Sequence, residues 1–75
     1  PEQRRRLRDA GLQFTDRERA ALTGVAQGLT AKQIADRVGV GQRTIERTRA
    51  QLEHALGVTN LQDLRQKARD LGFGE

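Results

Sequence analysis

Thr30 to Gly57 reads TAKQIADRVGVGQRTIERTRAQLEHALG, and this stretch decides the fold. Ala31 to Val38 is a short run of helix formers with Ile34, Ala35 and Val38 as its apolar residues. Lys32, Gln33, Asp36 and Arg37 fall on its outward side. Thr30 stands where a helix cap is needed. Gly39-Val40-Gly41 interrupts the run, and a longer one, Gln42 to Leu56, follows at once. Two helices joined by a turn of three or four residues containing glycine outline a helix-turn-helix. In that motif the second helix enters the major groove of DNA. Val40 is expected to tuck between the two helices.

The longer helix has two unlike faces. Ile45, Leu52, Ala55 and Leu56 are expected to point inward. Arg43, Glu46, Arg47, Ala50 and His54 recur at helical spacing on the other side. That face suits base reading. Arginine pairs with guanine O6 and N7, a carboxylate accepts from cytosine N4, and a methyl group meets thymine. Gln42 and Arg49 lie at the flank, where the groove wall presents phosphates. The bland alternative is a solvated face in which Glu46 pairs with Arg43 or Arg49, worth only about 0.2–0.5 kcal/mol. Face composition does not separate the two. The preceding short helix and glycine turn favour DNA.

Upstream, Phe14-Thr15-Asp16-Arg17-Glu18 marks a helix start. Thr15 and Glu18 have the spacing of a capping box, and Phe14 is placed to staple onto the first turn. The helix is expected to run to about Gln27, with Leu22, Val25, Ala26 and Leu29 inward and Ala21 beside them. Gly24 in its interior costs about 1 kcal/mol relative to alanine, which a close helix crossing would explain. Gly28 suits the C-terminal end.

Downstream, Gly57 ends the longer helix and Thr59 or Asn60 caps a fourth, spanning about residues 60–71. Leu61, Leu64, Ala68 and Leu71 form a narrow stripe. Core closure is its expected role. A dimer seam is the alternative, and it would draw on Leu61, Gln62, Leu64, Arg65, Ala68 and Arg69. Phe73 is expected to cover the open end of the core.

Composition narrows the functions. The 75 residues suit one small domain, which buries only about 60% of its unfolded surface. Residues 1–13 carry Arg4, Arg5, Arg6 and Arg8 and read as a basic linker or phosphate-touching arm. Residues 14–75 form the domain. The chain starts with Pro1 rather than Met, so a fragment of a longer protein or a processed chain is expected, with residues 1–13 leading from an N-terminal domain. Net charge is +4, which favours a polyanionic partner. With no cysteine, no serine and one histidine, neither a thiolate metal site nor a serine nucleophile can be built. His54 reads as a surface residue near a helix end. No enzyme, metal, cofactor or small-molecule ligand is expected. Two phenylalanines are the only aromatics, too few for a single-strand stacking platform. No apolar run approaches the roughly 20 residues of a membrane span.

Phe14-Thr15-x-Arg17-Glu18, Ala26-x-Gly28-Leu29-Thr30-x-Lys32-x-Ile34-Ala35, Thr44-Ile45 and Leu56-Gly57-Val58 together resemble the LuxR/GerE-type helix-turn-helix of bacterial transcription regulators. The resemblance covers about residues 14–73 without gaps. It is specific as a set, although no single piece is. It implies an all-α domain with a tri-helical core plus a fourth C-terminal helix, at the effector end of a response regulator or ligand-sensing regulator. It places base reading at Glu46, Arg47 and Ala50, and phosphate contact at Thr30, Lys32, Thr44 and Thr48. Helix periodicity selects the first three independently and adds Arg43. In this family the fourth helix commonly forms a two-fold dimer on DNA. Three residues depart from the family's usual ones: Gly41 replaces a serine cap, Glu46 a frequent lysine and Thr48 a usual histidine. The core is also thinner than usual at Ala21 and Gly24.

The expected function is sequence-specific binding of duplex DNA for transcriptional control, in the bacterial cytoplasm at the nucleoid, with recognition helix 42–56. A homodimer on DNA and a contact with RNA polymerase are compatible with it. A sigma-factor region 4 module shares the first three helices but usually lacks the fourth. A protein-interaction module that has lost DNA binding is the third reading, motivated by Glu46 and Gly41.

Overall fold

The computed structural model describes residues 13–74. Four helices follow in order: α1 Asp16–Ala26, α2 Ala31–Val38, α3 Gln42–Leu56 and α4 Leu61–Asp70. No strand occurs among the described residues. The expected all-α, four-helix arrangement is observed. The expected basic arm lies, apart from Gln13, outside the described residues.

Local chemistry sets the helix ends. The Thr15 hydroxyl accepts from the Glu18 amide at 3.1 Å, and the Glu18 carboxylate accepts from the Thr15 amide at 2.8 Å. Thr30 and Gln33 repeat this capping box at the start of α2, at 3.1 and 2.9 Å. Asn60, not Thr59, caps α4 by accepting from the Asp63 amide at 2.8 Å. Gly39 closes α2 in the left-handed region at φ 84°, where a side chain would be strained.

α1 and α3 each touch all the other helices, whereas α2 and α4 do not touch each other. The core is built from Leu22, Val25, Ile34, Ile45, Leu52, Leu64 and Phe73. Ala21, Ala26, Ala31, Ala35 and Ala68 are buried among them. Small residues let the helix axes come close. Gly24 is the extreme case: a Cβ there would stand 2.5 Å from Ile34 Cγ1. The glycine in α1 is therefore explained by the crossing of α1 and α2. Val40 is partly buried against the core, as expected of the turn residue.

Two packing expectations are corrected. Ala55 is exposed, and Thr48 is buried in its stead. Ile45, Thr48, Leu52 and Leu56 continue one stripe at i, i+3, i+7 and i+11, and Ala55 falls beyond its edge. Leu61 is 38% exposed and does not close the core. It is the first residue of α4, and a helical side chain leans over the turn before its own Cα. At the helix start no such turn exists. Phe14 packs edge-on against Phe73, with ring centroids 6.1 Å apart and planes at 74°. The aromatic pair ties the entry to α1 to the segment after α4.

Gly24→Ala tests the crossing. Overpacking costs about 1–3 kcal/mol, against about 1 kcal/mol of helix propensity gained. Ile34 is β-branched and stiff, so a net loss of about 1 kcal/mol is expected. Thermal unfolding should then drop by about 4–8 °C. A raised midpoint would show that Ile34 moves aside freely.

Candidate nucleic-acid interface

α3 presents its two faces as a fixed pair. Ile45, Thr48 and Leu52 are buried, and Leu56 is partly so. With that stripe anchored, helical rotation carries Arg43, Glu46, Arg47, Ala50 and His54 to the opposite side, where all five are exposed. Gln42 is also exposed, and Thr44 and Arg49 are half-buried along the two flanks. The 15 residues of α3 extend about 22 Å. A helix about 10–12 Å across fits a major groove about 12 Å wide.

The basic side chains are uncommitted. Among the described residues, Arg43, Arg47 and Lys32 make no ion pair. The recorded pair joins Arg19 to Asp16 on α1. Helix termini reinforce the pattern. α1 and α4 carry acidic residues in their first turns: Asp16 and Glu18 in one, Asp63 in the other. α2 and α3 carry none. Their positive N-terminal ends are thus left unneutralised, as suits an anion.

Thr30 and Lys32 stand exposed at the start of α2. The Thr30 hydroxyl already caps Gln33. Thr48 corrects an expectation. It is only 6% exposed, and its hydroxyl donates to the Thr44 carbonyl at 2.9 Å, so it is placed as a core residue rather than a phosphate contact. Gln42 donates from Nε2 to the Glu46 carboxylate at 3.2 Å. The pairing of Glu46 with Arg43 or Arg49, the bland alternative for this face, does not form.

The dimer seam drawn on α4 is also revised. Leu64 and Ala68 are fully buried within the single chain and are not available to a partner. Arg69 donates from Nε to the Ala26 carbonyl at 3.1 Å, clamping the last turn of α1. Leu61 and Gln62 remain exposed and Arg65 half-buried. The Arg65 Nε is buried without a hydrogen-bond partner. Sequence reasoning missed Thr48 in the core, although its spacing from Ile45 and Leu52 carried the signal. It had no signal for the Arg69 clamp, which joins residues far apart in the chain.

A family model for GerE, bacterial regulatory proteins of the luxR family, matches residues 12–68. The chain belongs to this family. The match runs through α1, α2 and α3 and most of α4. This is a LuxR-family helix-turn-helix DNA-binding domain of a transcription regulator. No curated protein and no solved structure matches the chain. Among the described residues no helix is long and apolar enough to cross a membrane, and no cluster of His, Asp or Glu gathers to hold a metal ion.

Gly41 caps α3 without a side-chain hydrogen bond, in an extended conformation that any residue adopts. A Cβ there would meet nothing within 4 Å. Gly41→Ser should therefore add a cap and restrict the unfolded chain, gaining about 0.5–1 kcal/mol. Denaturant unfolding checks this; an unchanged midpoint would mean the serine hydroxyl does not reach the α3 amides.

Proposed function

We propose that the domain binds a specific duplex DNA site with α3 in the major groove and thereby controls transcription in the bacterial cytoplasm, at the nucleoid. One observation supports this most: the face of α3 opposite its buried stripe exposes Arg43 and Arg47, both free of ion pairs. Arg43, Glu46, Arg47 and Ala50 are assigned to base edges. Lys32, Arg49, Thr30 and Thr44 are assigned to phosphates, with the open N-terminus of α2 adding its dipole. Thr48 leaves that set because it is buried. Residues 14–75 act as the binding unit, and residues 1–13 as a basic arm or linker from a preceding domain.

A two-fold pair on DNA belongs to the same proposal. Its seam is narrower than the sequence implied and rests on Leu61, Gln62 and the half-buried Arg65. The fourth helix places Leu64 and Ala68 in the core. That favours a regulator over a sigma-factor module, which usually lacks this helix.

Two substitutions separate reading from positioning. Arg47→Ala should cost about 1–3 kcal/mol on the selected site and less on unrelated duplex. Equal losses on both would remove Arg47 from base reading. Lys32→Ala should weaken every duplex alike and lower the salt slope by about one unit. Fluorescence anisotropy at several salt concentrations measures both, and an unchanged slope would count against the phosphate role.

A further inference from the structure

The exposed face of α3 carries one carboxylate among its arginines, and the structure shows how it is held. Arg43, Arg47 and Arg49 all lie within three residues of Glu46. None of them pairs with it. The Glu46 carboxylate instead accepts from Gln42 Nε2 at 3.2 Å, one turn earlier. That bond uses Oε1 and leaves Oε2 as an acceptor on the exposed face. Gln42 thereby commits one of its two Nε2 hydrogens to Glu46.

A carboxylate in this place is unfavourable against most duplex. The groove is flanked by one negative charge per about 1.7 Å of helix axis. Guanine offers N7 and O6, and thymine offers O4, all acceptors that repel an ionised acid. Adenine offers a donor beside the acceptor N7, a pair that suits an amide rather than a carboxylate. Cytosine N4 offers a donor without a neighbouring N7 on its own ring. Of the four bases, cytosine offsets the repulsion best.

We propose that Glu46, oriented by Gln42, is a specificity gate that demands cytosine at one position of the half-site and penalises duplex without it. This rests on the DNA-binding reading above and deepens it. Glu46 then acts in the opposite sense to its arginine neighbours. Their positive charge adds some affinity to any duplex, beside the base contacts assigned to Arg43 and Arg47. Glu46 subtracts affinity from nearly all duplexes and so widens the gap between right and wrong sites. Gln42 is a positioning residue in this scheme.

Selection from a randomised duplex pool tests it, using the domain and its Glu46→Gln and Gln42→Ala variants. Each protein is also titrated into one unselected duplex at two salt concentrations. Both side chains are exposed, and circular dichroism checks that the helices persist. The unaltered domain should enrich a site with cytosine fixed at one position. Glu46→Gln should keep the other positions, relax that one or turn it to adenine, and lose about 5- to 150-fold of discrimination there. It should also bind the unselected duplex more tightly, most clearly at low salt. Gln42→Ala should move the same position by about 2-fold or less. Weaker binding of Glu46→Gln to every sequence, or an unchanged preference at every position, overturns the gate while leaving DNA binding intact. Failure of the unaltered domain to enrich any sequence overturns the gate and the DNA-binding reading together.

Discussion

The buried stripe of α3 is the constraint on which the rest depends. Ile45, Thr48 and Leu52 are fixed in a core shared with the other three helices. Once that stripe is anchored, helical geometry leaves no freedom in which residues face outward. Arg43, Glu46, Arg47 and Ala50 are presented together because their opposites are packed. A rigid helix is what base reading needs, since hydrogen bonds to base edges tolerate little angular error. The remaining elements serve this anchorage. α1 lies against α3 and α4, Arg69 clamps the end of α1, and Phe73 with Phe14 closes the far side.

So small a core works through closeness rather than bulk. Five buried alanines and Gly24 bring helices near each other, and the few large side chains then fill what remains. The arrangement is economical but intolerant. A single methyl group at Gly24 meets Ile34, whereas one at Gly41 meets nothing. These two glycines look alike in the sequence and differ entirely in consequence. The first is held by packing. The second is a cap without a side chain, at the start of α3.

Charge is divided by position in the same way. The helices outside the motif begin with acids that satisfy their own dipoles. The two helices of the motif begin without them, and among the described residues their basic side chains make no ion pair. Local stability is thus given up where a polyanion can supply it. Glu46 is the exception on this surface. Its bond to Gln42 rather than to an arginine keeps both the carboxylate and the arginines presented to solvent.

The sequence by itself determined the helices and their order. Capping boxes at Thr15 and Thr30, the Asn60 cap, and the breaks at Gly39 and Gly57 act over three or four residues, so they can be read locally. It also determined the family, because the matching residues recur in order along the chain. The exposed face of α3 was legible for the same reason, since periodicity alone separates Arg43 and Arg47 from Ile45 and Leu52. Tertiary structure decided what depends on a neighbour distant in the chain. It placed Thr48 inside and Ala55 outside, left Leu61 exposed, and drew Leu64 and Ala68 away from any seam. It paired Phe14 with Phe73, Arg69 with Ala26 and Gly24 with Ile34. It chose Gln42 over three nearby arginines as the partner of Glu46. A helical stripe gives the direction in which a side chain points, but only the packed chain supplies what it meets there.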